Sequence, residues 1–196
     1  VRKGKPNDPE RRARILRATL EIIGAEGVHA ASYRRIAAQA GVPLGSATYY
    51  FSDLPALIVS AFETLRDGLE PRYAAPLRAA RDSTEAVEAL VAATCRTPSP
   101  TLNDIRLYEE MRHYGARSSQ VAALLRDFHE ESLVILRRSF SDGFARAVDA
   151  LMWGWWSYRL FHEDLPLDQN MVRRAYQALV DLAATEPEAA QETRCV

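Results

Sequence analysis

Apolar positions along this 196-residue chain recur every three or four residues, the period of helices that turn one face inward. Over 9–26, Ile15, Leu16, Leu20, Ile22 and Ile23 keep that spacing, and Gly27 ends the run. Over 32–40, Ser32 stands at an N-cap position before a small stripe of Ile36, Ala37 and Ala40. A short helix over 44–50 follows Gly41-Val42-Pro43. A longer one starts near Ser52 or Asp53, with Pro55 in its first turn, and buries Leu57, Ile58, Ala61, Phe62, Leu65 and Leu69. Pro71 and Pro76 then disturb the pattern. Further helices are predicted over 83–96, 101–115, 119–140, 143–163 and 168–185, separated by Pro98-Ser99-Pro100, Ser118-Ser119, Ser141-Asp142-Gly143 and Pro166. No strand pattern and no internal repeat is visible. The expected fold is all-α with about nine helices, a functional boundary near residue 52, and a disordered tail over 188–196.

Composition narrows the class. No apolar run approaches the roughly 18 residues of a membrane span, and the opening, Val1 to Arg12, is polar rather than a leader pattern. Cys95 and Cys195 have no metal-ligand spacing and suggest a reducing, cytoplasmic setting. The formal net charge of −1 hides an asymmetry. Residues 1–60 hold nine Lys/Arg and five Asp/Glu, while the remainder holds sixteen and twenty-one. A basic head on an acidic body suits contact with a polyanion, although chance clustering on a solvated surface gives the same split. Arg2, Lys3, Lys5, Arg11 and Arg12 read either as an arm lying on phosphates or as a disordered charged terminus.

Chemistry for an enzyme is weakly represented. His29, His113, His129 and His162 form no metal or triad spacing. Glu109 and His113, four apart, read as a surface pair. Gly24 and Gly27 lie at a helix end and Gly41 and Gly45 at a turn, so no phosphate loop is formed. No cofactor and no metal is expected, and a helical enzyme is the distant alternative.

The informative stretch is Ser32 to Phe51, SYRRIAAQAGVPLGSATYYF. It reads as helix, glycine-centred turn, short helix. Gly41 can take the left-handed conformation that turns the chain sharply, Val42 plugs the angle between the helices, and Pro43 can start the second. Ala47 and Phe51 face inward, leaving Leu44, Ser46, Thr48, Tyr49 and Tyr50 outside. Adjacent exposed tyrosines suit a DNA groove, where phenol hydroxyls reach phosphates and ring edges meet thymine methyls.

These residues resemble the TetR family of bacterial repressors. The family's opening helix, ILxAALELxxxxG, is matched from Ile15 to Glu21 and at Gly27. Its T-x-x-x-IA-x-x-AGV is matched at Ser32, Ile36, Ala37, Ala40, Gly41 and Val42. Its G-x-x-Y-x-x-F-x-x-K-x-x-L is matched in spacing at Gly45, Thr48, Phe51 and Leu57. The chain departs from the pattern at Thr48, often aromatic in the family, at Pro43 in place of a Ser cap, and at Leu54 in place of a lysine that commonly touches a phosphate.

The resemblance implies a helix-turn-helix DNA-binding domain over 1–52 and a ligand-binding and dimerisation domain over 53–187. Ser32, Arg34, Leu44, Gly45, Ser46, Thr48, Tyr49 and Tyr50 are the DNA-contact candidates. A homodimer is expected, because two recognition helices related by a two-fold reach successive major grooves of a palindromic operator. Ala147, Ala150, Gly154 and Ser157, on a small-residue face that begins at Gly143, together with Val172, Tyr176 and Leu179, are the interface candidates. The same faces could equally be buried within one chain. Tyr108, Arg112, Phe128, Trp155 and Trp156 are candidates to line a pocket for a small-molecule effector, although such side chains equally build cores. The implied function is a ligand-responsive repressor, with the helix starting near Asp53 carrying the movement. An activator, or a regulator without a ligand, is the alternative.

Overall fold

A computed structural model describes residues 9–95, 100–162 and 166–185. Arg2, Lys3, Lys5, Pro98, Ser99, Cys195 and the expected tail over 188–196 lie outside the described residues. The described residues form nine α-helices and one 3-10 turn, with no strand. In chain order these are α1 (Pro9–Glu26), the 3-10 turn (Val28–Ala30), α2 (Tyr33–Gln39), α3 (Leu44–Tyr50), α4 (Leu54–Ala79), α5 (Ser83–Cys95), α6 (Leu102–Gly115), α7 (Ser119–Leu136), α8 (Asp142–Phe161) and α9 (Gln169–Thr185). No described helix is long and apolar enough to cross a membrane.

Several helix starts follow directly from capping chemistry. Side-chain oxygens satisfy amides that the first helical turn leaves without a partner. Asp53 Oδ1 accepts from Ala56 N at 2.7 Å at the start of α4, and Asp82 Oδ1 accepts from Glu85 N at 2.8 Å at the start of α5. Ser118 Oγ accepts from Val121 N at 3.4 Å before α7.

Two elements differ from the sequence expectation. Pro71 and Pro76 do not interrupt α4, which continues to Ala79. Each proline forfeits one backbone bond, but Leu65, Leu69, Ala74 and Leu77 remain buried at helical spacing, so packing continues through the sites. Conversely, the helix expected over 119–140 stops at Leu136 and passes through a turn that ends at the buried Phe140. Arg137 Nε bonds Asp142 Oδ1 across this corner at 2.6 Å. The guanidinium beside it holds the Asp142 carboxyl below the usual carboxylate range.

The chain divides into two compact units, Val1–Leu69 with Asn103–Asp127, and Glu70–Leu102 with Phe128–Val196. The first has a core of Ile15, Leu16, Ile22 and Ile23 from α1, Ile36 from α2, Ala47 from α3, Leu57 and Phe62 from α4, and Tyr108 and Met111 from α6. In the second, α5 packs against α8 and α9. Trp156 Nε1 donates to Ala93 O at 3.1 Å, and the Tyr176 and Thr94 hydroxyls bond at 2.9 Å, so both large polar-tipped side chains are satisfied where they are buried. Burial pushes the Tyr176 phenol well above its ordinary pKa. The buried Asp149 carboxylate is held likewise, by Ser132 Oγ at 2.8 Å and His129 Nδ1 at 3.0 Å.

Candidate nucleic-acid interface

The α2–α3 corner is built from its backbone. Ser32 caps α2, its Oγ accepting from Arg35 N at 3.4 Å. Gly41 has φ 62°, a conformation that costs a side-chain-bearing residue energy, and it sets the sharp reversal. Val42 N donates back to Ala37 O at 3.0 Å, and Ser46 N to Pro43 O at 2.8 Å, so the turn leads straight into α3. The far end of α3 is tied to α2: Tyr33 donates its hydroxyl to Phe51 O at 3.2 Å. Burial, with Asp53 nearby, raises the Tyr33 pKa.

This frame sorts α3 into two faces. Ala47 is fully buried and Phe51 nearly so. On the opposite side Leu44 is 52% exposed and Tyr49 77% exposed, exposures that no packing requirement explains. Gly45 and Thr48 are exposed too, while Ser46 and Tyr50 are half-buried. The Thr48 hydroxyl donates to Gly45 O at 3.3 Å. The Tyr49 and Tyr50 rings meet edge-to-face with centroids 5.3 Å apart, which limits the freedom of both. A side chain added at Gly45 would meet nothing within 4 Å, so this flank of α3 is open to a close approach.

Charge is distributed unevenly around the corner. Arg35 is committed to Glu26 and to Ala30 O, whereas Arg34, its neighbour in sequence, is exposed with no ion pair among the described residues. Gln39 bonds Glu21 at 2.8 Å. Arg12, from the first turns of α1, is exposed and places its guanidinium carbon 5.4 Å from the centre of the Phe51 ring. That contact joins residues 39 positions apart in sequence, and no spacing rule points to it.

The arrangement is that of known regulators. The family described as bacterial regulatory proteins, tetR family, matches residues 15–60, the segment from α1 into α4. The crystal structure of SCO7518 from Streptomyces coelicolor A3(2) shares 34% identity and superposes with a TM-score of 0.77, over 87% of this chain and 98% of that one. The chain belongs to the TetR family of transcriptional regulators. The HTH-type transcriptional regulator BetI of Rhizobium meliloti (strain 1021) is 27% identical over 156 residues, 74% of this chain and 77% of BetI. The multidrug binding protein EbrR, solved with imidazole, proflavin, ethidium or malachite green, is 27–29% identical with TM-scores of 0.64–0.67. Those matches cover 87–88% of this chain and 96–99% of EbrR.

In this TetR-family chain the remaining candidates fall in different surroundings. Tyr108 is buried in the first unit, and Arg112, exposed on the same helix, pairs with Glu109 at 2.9 Å. Phe128 and Trp156 are fully buried in the second unit, joined through Trp153, whose ring centroid lies 5.8 Å from Phe128 and 4.7 Å from Trp156. Trp155 is half-buried, and its indole N–H is enclosed with no hydrogen-bond partner. On α8, Ala150 and Gly154 are exposed, Ala147 and Ser157 are half-buried, and Phe161 on the same face is 75% exposed. On α9 the expectation needs correcting. Val172 and Tyr176 are completely buried within the chain and offer no surface to a second copy, and Leu179 is half-buried. The apolar side chains that α9 leaves exposed among the described residues are Met171, Ala178 and Leu182, with Ala175 half-buried among them. Met171 and Ala178 each lie one position round the helix from the expected Val172 and Leu179, while Ala175 and Leu182 belong to the apolar stripe that the sequence itself shows. An apolar helix flanked on both sides gives one broad stripe, and spacing alone does not say which edge faces the chain's own core.

Proposed function

We propose that the protein is a repressor that binds a palindromic operator as a homodimer and releases it when a small molecule binds. DNA contact is assigned to residues 1–52, through Ser32, Arg34, Leu44, Gly45, Ser46, Thr48, Tyr49 and Tyr50. Effector sensing and dimerisation are assigned to 53–187. The observation that carries the reading is the outward Tyr49 on a helix whose opposite face is locked into the core. Groove recognition needs that pairing of an exposed contact face with a rigid mount.

Dimerisation is supported by the exposed small and apolar residues Ala150, Gly154, Phe161, Met171 and Leu182 on α8 and α9, which suit a second copy of the same surface. An aromatic effector is supported by the ring cluster of Phe128, Trp153 and Trp156, by the unmatched Trp155 donor, and by likeness to EbrR, solved with aromatic dyes. An effector that fits only one arrangement of the two heads shifts the population toward it and weakens operator affinity.

The test is selection of duplexes from a randomised library, followed by binding assays with and without proflavin. We expect a two-fold symmetric site, binding that weakens steeply with salt, loss of site-specific binding in Tyr49→Ala without loss of thermal stability, and a rise in Tm with proflavin. Recovery of no preferred duplex sinks the DNA reading. An unchanged proflavin response after alanine substitution, in turn, at Tyr108, Arg112, Phe128, Trp155 and Trp156 sinks the effector assignment.

A further inference from the structure

The recognition segment has a property that its exposure makes conspicuous: it carries no charge. Between Arg35 and Asp53 there is not one Asp, Glu, Lys or Arg. Most of the affinity of a protein for duplex DNA comes from neutralising phosphates and releasing their counterions. Leu44, Ser46, Thr48 and the tyrosines can supply hydrogen bonds and apolar contact but no cation. Arg35 is no substitute, since Glu26 and Ala30 O hold its guanidinium. On α2 Arg34 stays exposed without an ion pair among the described residues, and any further positive charge beside α3 comes from another element.

Arg12 meets the requirement. Its guanidinium lies 5.4 Å from the Phe51 ring centre, and Phe51 is the residue that ends α3. The ring is itself fixed: Phe51 N donates to Ala47 O at 3.1 Å, Tyr33 donates to Phe51 O at 3.2 Å, and the side chain is almost wholly buried. Arg12 is exposed, and no carboxylate among the described residues pairs with it. An arginine on an aromatic face keeps its in-plane N–H groups free, and that edge is the one that bonds phosphate oxygens. The contact with the ring also removes some of the freedom that a surface arginine would lose on binding.

We infer that Arg12 is a DNA phosphate-binding residue, with the Phe51 ring as the platform that holds its guanidinium at the end of the recognition helix. This deepens the DNA-binding reading and rests on it. Arg12 adds affinity that does not depend on base sequence, whereas Tyr49 adds sequence preference.

The experiment measures fluorescence anisotropy of two labelled duplexes of equal length, one selected by the wild-type protein and one of random sequence, across a salt series. Arg12→Gln is expected to weaken both by the same factor, about an order of magnitude per bound protomer near 0.1 M salt. The plot of log affinity against log salt becomes shallower by about one per protomer. Arg12→Lys restores the slope because it restores the charge. The melting temperature of Arg12→Gln falls only slightly, since the side chain is exposed and loses one surface contact with the Phe51 ring. Tyr49→Ala, in contrast, weakens the selected duplex more than the random one. An unchanged salt slope in Arg12→Gln, or a loss confined to the selected duplex, overturns the inference while leaving the DNA-binding reading intact. If the wild-type protein selects no duplex at all, the reading fails first and the inference falls with it.

Discussion

The Glu110 carboxylate of α6 accepts the Val28 amide at 2.9 Å, closing the start of the 3-10 turn that follows α1. The chain reaches that turn through Gly27, at φ 87°. A charged acceptor on a partly buried amide is stronger than a neutral one. We expect Glu110→Ala to cost about 1–3 kcal/mol by stranding the amide, and Glu110→Gln, which keeps an acceptor, to cost less. Thermal unfolding of the two variants checks this, and equal melting temperatures for both and for wild type would remove the tie from the account. Contacts of this kind were not legible in the sequence. Glu110 is 82 positions from Val28, and nothing local marks it out from Glu109, which pairs with Arg112. The same holds for Arg34 and Arg35: two adjacent arginines read alike, and only the position of Glu26 engages one and leaves the other exposed.

Elements were more legible, because helix ends are set by local chemistry. The bounds of α1 and α3 match their apolar periods, and Gly41 takes the left-handed geometry that its place between two helical runs requires. That geometry gives a test of the turn. A Cβ at Gly41 would meet nothing within 4 Å, so Gly41→Ala carries only the backbone cost of positive φ, about 1–2 kcal/mol. Gly41→Asn should cost less, because asparagine tolerates that region better. A melting temperature for Gly41→Ala at or above the wild-type value contradicts the assignment of the turn. The misread elements have physical reasons too. Proline lowers helix propensity, but the buried face of α4 outweighs it at Pro71 and Pro76. The apolar period past Leu136 was continued by Phe140, which is buried from a turn rather than from a helix.

At the scale of the whole molecule, the proposed homodimer raises the question of which surfaces are left for a second copy. Gly154 is exposed on α8, and a Cβ there would meet nothing within 4 Å. Gly154→Arg should therefore leave the protomer folded, since replacing a mid-helix glycine also favours the helix. It should nevertheless block close approach of a partner and reduce operator affinity. Sedimentation velocity reads the outcome: a dimer that persists in Gly154→Arg places the interface elsewhere. Local spacing was enough to tell that the chain is helical, where most helices begin and end, and that 32–51 forms a turn between two short helices. Those features depend on side chains a few positions apart, whose spacing is written in the chain. It took the folded chain to show which arginine is neutralised, which ring supports Arg12, and that Val172 and Tyr176 face inward while Met171 and Leu182 do not. Such choices depend on which residues from distant segments meet, and a helical stripe records that a face is apolar without recording what covers it.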